Sequence, residues 1–422
     1  MTAVSASRVS GWSPTSAVLA LVAVALPPLG VVAPLGLAPL LAVAALALLV
    51  IDWRGALGAF RAFAGIAALL AALSLWGMLS ARWSILPQHS FLEALRLLAI
   101  NAGGLVCLGA ARALAPPERR QLGAAAVVGV ALAVALLITA RFIDLELFRA
   151  MLRRAPEAPL TRFDRGATVL VLALWPALAS VGVRKWVAVA LALAAGVAVL
   201  TLVSTAAKLA LVTGVVLLVA GYRRPRLVAG ALAVGLIAVS VLLPTVTPSS
   251  DQVVAIHSAA PWLKPSAIHR FLIWRFTADR IAEQRFLGWG MDASRELPGA
   301  HESAGKLVPG SDLPDFAVQL SLHPHNAVLQ WEVELGLPGL LLCLGIVVLS
   351  LATVARQEAL SPLHRATELA WAGSALVIAL LSYGAWQAWW LSALWLTAAL
   401  CGAVGARADG GWSPAAGSAA RP

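Results

Sequence analysis

The sequence predicts an all-α, polytopic integral membrane protein of about twelve transmembrane helices, with one large loop that itself contains helix. Three observations predict this. The 422 residues are 60% hydrophobic and 12% charged, with a mean hydropathy of +0.87, whereas soluble domains carry roughly 25% charged residues. Apolar runs long enough to cross a ~30 Å hydrocarbon core recur along the chain. Between them, basic residues collect in every second connection, as membrane topology requires. The net charge of +11 is therefore a topology signal, and no nucleic-acid partner is expected.

The predicted helices cover 16–31, 33–51, 62–80, 91–111, 121–140, 166–182, 186–203, 205–221, 227–244, 326–354, 366–383 and 387–405. The apolar run after the N-terminal stretch continues past Pro27-Pro28 into a second run. That pattern reads as a helical hairpin and not as a cleaved signal peptide. One set of connections holds Arg54 and Arg61; Arg112, Arg119 and Arg120; Arg184 and Lys185; Arg223, Arg224 and Arg226; and Arg356 and Arg365. This bias places those loops and both termini in the cytoplasm. The organisation follows as helices one to nine in 1–244, a loop domain at 245–325, helices ten to twelve in 326–405, and a Gly/Ala/Ser/Pro-rich disordered tail at 406–422. Cys107, Cys343 and Cys401 all lie in apolar runs and read as buried thiols without a disulfide framework.

Two connections on the opposite, outer side break the charge rule. The short one, 141–165, bears Arg141, Arg149, Arg153, Arg154, Arg162 and Arg165, and the long one, 245–325, bears Arg270, Arg275, Arg280, Arg285 and Arg295. Long loops are exempt from the rule but short ones are not, so anionic ligands explain the arginines better. Trp386, Trp389 and Trp390 fall near the same face, where an interfacial aromatic belt is expected.

Within the long loop, residues 267–286 read as a helix with Arg270, Trp274, Thr277 and Ile281 on one face. The arginines at 270, 275, 280 and 285 are each rotated about 140° from the last, so they do not share a face. One or two are expected to meet a ligand, the others to be solvated or paired with Asp279 and Glu283. The helix runs into Gly288-Trp289-Gly290, whose glycines permit positive φ or close backbone approach.

Where the loop meets the tenth helix stands His323-Pro324-His325-Asn326, followed nine residues later by Gly336-Leu337-Pro338-Gly339. Three readings of the histidines stay open. They cap the helix or bind interfacial water; they ligate a metal, for which His257, His269, His301, Asp292, Asp312 and Asp315 offer partners at no distinctive spacing; or one is a general base, since imidazole titrates near neutral pH. In the last reading, Asn326 orients the ring or a substrate hydroxyl. Arg165 is either a snorkelling arginine or a guanidinium fork for pyrophosphate. Lys208, a few residues inside the eighth helix, marks a functional site by its intramembrane charge or else snorkels to the interface.

These motifs together resemble the O-antigen ligase superfamily of bacterial inner-membrane ligases and related polymerases. His325-Asn326, the nine-residue spacing and Gly336-Leu337-Pro338-Gly339 match the ligase signature. Arg270 to Trp274, leading to Gly288-Trp289-Gly290, resembles the family's Arg-x-x-x-Trp helix and Gly-x-Gly turn. Phe163-Asp164-Arg165-Gly166 looks like its arginine at the start of a mid-chain helix. The similarity spans roughly residues 160 to 350. It departs at Thr205-Ala206-Ala207-Lys208, where the family commonly has a Ser-Arg-Gly-like element. A lysine there supplies a point charge without a fork.

The resemblance implies transfer of a glycan from undecaprenyl diphosphate, a lipid-linked oligosaccharide donor, to a sugar hydroxyl of lipid A–core at the periplasmic face. It casts His325 as the base and Arg270 and Arg165 as the diphosphate cations. His323, Asn326, Trp274, Arg275, Lys208, Gly288 and Gly290 are candidate substrate-binding positions. Neither a metal nor another cofactor is expected, and membrane lipids are partners by location. The nearest rival is a polymerase of the same superfamily, although neither outer loop shows an Arg, ten residues, then Gly. A lipid-linked sugar transporter is the rival from another class; it predicts coupling carboxylates at the midplane, where the sequence shows few acids.

Overall fold

The computed structural model describes residues 12–143, 163–180, 184–308, 317–358 and 360–404. Arg149, Arg153, Arg154 and Arg162 of the arginine-rich connection, Asp312, Asp315 and the 406–422 tail lie outside the described residues.

Helices occupy all twelve predicted segments. The hairpin α1 (Pro14–Val32) and α2 (Leu37–Ala56) is followed by the short α3 (Gly58–Ala62), then α4 (Ala64–Ser80), α5 (Pro87–Ala113) and α6 (Pro116–Ile138). Next come α7 (Asp164–Leu178), α8 (Lys185–Leu200), α9 (Thr205–Arg223) and α10 (Pro225–Val246). The long connection contains α11 (Ser250–Ala259) and α12 (Pro265–Glu283), and the chain closes with α13 (Ala327–Arg356), α14 (Pro362–Leu381) and α15 (Ala388–Val404). Seven helices among the described residues (α1, α2, α5, α6, α9, α10 and α13) are long and apolar enough to cross a membrane, and α4, α8 and α15 are shorter apolar helices. The protein is an all-α, multi-pass membrane protein.

Local chemistry sets the helix starts. Proline stands at the beginning of α1, α5, α6, α10, α12 and α14, where its missing N–H is not needed and its fixed φ already suits a helix. Ser13, Ser204, Ser249 and Ser361 cap helices by accepting backbone N–H groups. Packing then follows from which faces are apolar. On α10, Leu227, Val234, Ile237, Val241 and Leu242 stay exposed, the inside-out pattern of a helix whose solvent is lipid.

By contrast α7 is buried from Gly166 to Ala177 and touches α1, α6, α8, α9, α14 and α15. It is the central post of the bundle, and Arg165 stands at its first turn. The apolar face of α12 (Ile273, Phe276, Ile281) packs with Leu329 and Val333 of α13, fixing the long connection onto the end of the bundle.

Two expectations require correction. The tryptophans near the loop-bearing end form no interfacial belt: Trp386, Trp389 and Trp390 are only 5%, 3% and 2% exposed. Their burial is possible because indole N–H groups find partners inside the protein, Trp386 on Glu334 and Trp389 on Gln387. The apolar helices also hold more acid than the hydropathy pattern implies. Glu334 of α13 is fully buried, as is most of Glu368 on α14, which lies within electrostatic reach of Arg112 on α5. A buried carboxylate persists where donors or a cation offset its lost hydration.

Candidate active site

The Gly-x-x-Gly element is a break in a helix. At Gly336, α13 adopts φ 63°, ψ −166°, a conformation that excludes ordinary side chains. The break frees backbone groups in an apolar setting, where each unpaired one is costly. The Gly-x-Gly turn supplies the partners. Trp289 N–H donates to Val333 O (2.9 Å), Gly290 N–H to Glu334 O (2.8 Å), and Leu337 N–H to Arg285 O (3.0 Å). Trp76 of α4 adds an indole N–H to Leu335 O at 2.8 Å. Both backbones must come close for this. A Cβ on Gly288 (φ +71°) would lie 2.4 Å from Glu334 O, and one on Gly336 2.2 Å from Phe286 O. Residues 327–335 are therefore a half-helix about 13 Å long, pinned at the break and capped at the other end by Asn326.

That cap carries the histidines. Asn326 Oδ1 accepts from Leu329 N–H (3.2 Å), while Nδ2 donates to Leu380 O (3.1 Å), tying α13 to the end of α14. His325 is one of two non-glycine residues with positive φ among those described (55°; the other is Asp292, 53°). This kink directs the imidazole to the 382–384 turn, where Nδ1 lies 2.5 Å from Ser382 O. A carbonyl only accepts, so the proton sits on Nδ1 and Nε2 keeps its lone pair. The His325 backbone N–H in turn donates to His323 Nδ1 at 3.2 Å, which leaves the His323 proton on Nε2. The two rings lie 4.4 Å apart, edge to face.

Burial pushes His323 down to about 3, with His325 and Arg295 adding to the shift. His325 is also lowered, first by burial and further by Arg270 and His269, with the Ser382 carbonyl partly opposing. Both rings are neutral at pH 7.

Arg270 and Trp274 stand one turn apart on α12 and face this segment together. Trp274 Nε1 donates to Pro324 O at 3.0 Å, holding the strand that bears the histidines. Burial lowers the Arg270 pKa, and among the described residues this guanidinium has no carboxylate partner. Its counterparts do. Arg275 forms a two-point pair with Asp279, Arg280 meets Glu283 at 2.8 Å, and Arg285 lies 3.7 Å from Glu332. Among the described residues the five-residue spacing thus leaves one arginine without a carboxylate, and it is the one beside His325. Arg275, expected at the substrate, is committed to its in-helix pair.

Arg165 reaches the other flank of the same turn. Its guanidinium lies over the Trp389 ring (5.3 Å), which packs edge-on against Tyr383 (4.6 Å), and Tyr383 Oη is 3.3 Å from Thr168 on α7. Lys208, near the start of α9, is within electrostatic reach of Asp164. Ser382, Tyr383 and Gly384 thus join the elements: Ser382 holds His325, Tyr383 borders Arg165, and Gly384 packs flush on the His323 ring, where a Cβ would fall 3.0 Å from it.

Residues 188–344 match the family model described as O-Antigen ligase. Over that segment, a little over a third of the chain, the protein is similar to the O-antigen ligases. It holds Lys208, Arg270, Trp274, both glycine motifs and the His-Pro-His-Asn segment, whereas Arg165 lies outside it. The chain is 35% identical over 138 residues to a protein of Rickettsia conorii, covering 32% of this chain and 31% of that one. It is 30% identical over 253 residues to one of Rickettsia bellii (56% and 57%) and 30% over 252 residues to one of Rickettsia felis (56% and 57%). All three are provisionally named polysaccharide ligases. The chain spans 31% to 57% of their lengths.

A second cluster, centred on Glu334 of the matched segment, carries no motif. Glu334 is fully buried and accepts four donors: Asp292 N–H (2.7 Å), Trp386 Nε1 (2.6 Å), Gln330 Nε2 (3.0 Å) and the Ser294 hydroxyl. Gln330 Oε1 accepts from Ala385 N–H at 2.8 Å. The cluster ties α13, the segment after Gly-x-Gly and the 382–387 turn into one frame under the histidines. The available signal was a glutamate well inside an apolar helix. Beside it, His89 and Glu93 of α5 and Asp292 bring ligand atoms within 4.8 Å of one another. However, Arg295 (2.7 Å) and Arg96 already engage the two carboxylates, so a cation there would meet two guanidinia.

Proposed function

We propose that the protein is an O-antigen ligase, transferring a glycan from undecaprenyl diphosphate to a hydroxyl of lipid A–core. The reaction takes place at the periplasmic face of the bacterial inner membrane, in a chain with about twelve crossings and both termini cytoplasmic. The observation that carries this reading is the neutral His325, its Nε2 lone pair fixed by the Ser382 carbonyl, beside an Arg270 that has no carboxylate partner among the described residues. The names of the relatives point the same way.

His325 Nε2 takes the proton of the acceptor hydroxyl as that oxygen attacks the anomeric carbon. The new C–O bond forms as the bond from the anomeric carbon to the diphosphate oxygen breaks, its electron pair leaving with the diphosphate. Direct displacement inverts the anomeric carbon. Negative charge grows on the leaving group, and preorganised cations in a partly dry site favour that transition state. Arg270 and Arg165 have this role, and Lys208 adds a point charge farther out. The imidazolium then loses its proton to solvent. Because the donor is already activated, neither nucleotide nor metal enters the scheme.

The test is the lipopolysaccharide profile of the parent bacterium with His325→Ala as the only copy. Loss of the polymer ladder while lipid-linked polymer accumulates is the expected result. An intact ladder at normal protein level removes the ligase reading, and accumulation of single repeat units points instead to polymerisation.

A further inference from the structure

His323 separates two unlike surroundings. His325 faces Arg270 and His269 on one side. On the other is a small cavity of about 70 Å³ whose lining includes Arg96, Asp292, Arg295, His323, Trp386 and Gln387. Four chain segments meet there: α5, the stretch after Gly-x-Gly, the histidine segment and the 382–387 turn. The proposed mechanism uses none of these residues.

The cavity is electrically balanced. Arg295 pairs with Asp292 at 2.7 Å, His89 touches the same carboxylate oxygen at 2.9 Å, and Arg96 pairs with Glu93. Two guanidinia against two carboxylates do not select a free anion. Hydrogen-bonding capacity is nevertheless left over. His323 is 8% exposed, and its Nδ1 is taken by the His325 N–H. Its Nε2–H has no hydrogen-bond partner among the described residues. Among the described residues Gln387 spends Oε1 on Trp389 and keeps its amide N–H groups, the Arg295 Nε is buried without a partner, and Asp292 commits only Oδ2. Donors and an acceptor beside an indole ring match a ligand whose groups both give and accept hydrogen bonds, the property of sugar hydroxyls. The only two non-glycine residues with left-handed backbone among those described, Asp292 and His325, flank His323, and such conformations concentrate at ligand clamps.

We infer that this cavity is the acceptor subsite, binding the hydroxyl-bearing edge of a neutral sugar so that the adjoining hydroxyl is presented to His325. The inference rests on the ligase reading. It divides the site across the imidazole pair, with the diphosphate donor on the Arg270 side and the acceptor on the Asp292 side. His323 is a positioning residue, its Nε2–H bonded to the sugar.

The test uses the full-length protein in lipid nanodiscs, with lipid-linked donor and the organism's own rough lipopolysaccharide as acceptor. Gln387→Ala and His323→Leu are expected to raise the acceptor KM about fivefold or more, the equivalent of one lost hydrogen bond. The donor KM should stay within twofold, and His323→Gln, which restores an N–H donor, should recover most of the loss. A raised donor KM with unchanged acceptor KM, or no change in either, overturns the assignment. Should the variants not fold, binding of deacylated core oligosaccharide to the wild-type protein decides. Binding undisturbed by donor, and retained after the oligosaccharide is dephosphorylated, is expected. Competition with donor, or a tenfold loss on dephosphorylation, overturns it. Absence of wild-type transfer with oligosaccharide still bound and indifferent to donor defeats the ligase reading but leaves a sugar subsite; absence of both defeats both.

Discussion

Glu334 is fully buried and His325 partly buried, both are polar and they lie nine residues apart in one sequence, yet their hydrogen bonding differs. Glu334 has four donors on two oxygens and no capacity to spare. His325 has one bond that fixes its proton on Nδ1, and its other nitrogen is left with a lone pair. The arginines at 270, 275, 280 and 285 repeat the contrast, since the last three meet carboxylates and Arg270 meets none among the described residues. Saturation marks architecture, and a deliberately unfilled valence marks chemistry. A census of unused donors and acceptors separates the two where burial and charge do not.

The largest expected effect tests the unfilled side. His325→Ala should cut transfer by about 10²–10⁴-fold, the usual contribution of a positioned base, with a melting temperature close to wild type. If melting falls in step with activity, the contrast with Glu334 collapses. Glu334→Ala should show the reverse emphasis. It strands four donors, costing roughly 3–5 kcal/mol, and is read as a lower melting temperature and poor recovery of monodisperse protein. Trp274→Phe removes one indole N–H from Pro324 O and should slow transfer about five- to tenfold with about 1 kcal/mol lost.

The pH dependence sharpens the comparison further. His325 acts in its neutral form and its pKa is depressed, so transfer should hold steady as pH falls through ~6.5 and decline only below it. Stability follows the same sign. Between its folded value of about 3 and its ordinary one, His323 binds more protons unfolded than folded. Its contribution is therefore complete above ~6.5 and is lost as pH falls through that window. A rate–pH limb near or above the ordinary imidazole range would contradict the burial described for His325. The smallest effect belongs to Arg275→Ala. A half-exposed in-helix pair contributes ~0–1 kcal/mol, and transfer should change less than twofold.

Much of this was legible in the chain. Hydropathy runs and N-terminal prolines place the helices because both signals are local. His325, Arg270, Trp274 and the glycines are legible as spacings along one or two elements. The 382–384 turn was not, since Ser382 meets His325 across 57 residues and nothing in Ser-Tyr-Gly announces that it receives an imidazole. Trp386 was misassigned for a related reason. An indole near a helix end looks the same in sequence whether it faces headgroups or a carboxylate, and only the position of Glu334 decides between them. Arg275 shows that charge spacing states which faces arginines occupy but not which of them find a partner.

The break at Gly336 bears on how the protein is built into the membrane. Residues 337–354 carry no charge, and their two hydroxyls, on Ser350 and Thr353, bond to backbone carbonyls of the same helix, so the segment can partition into a bilayer alone. The half-helix before the break carries Gln330 and the acids Glu332 and Glu334, and a charged side chain opposes partitioning by about 2.5–3.5 kcal/mol at mid-membrane. Its partners come from α4, the long connection and the 382–387 turn, the last of which is synthesised after it. The polar groups of this half-helix are therefore matched only once that later turn is in place, as a keystone is held only when both walls stand, and the imidazole pair at its end shares that dependence.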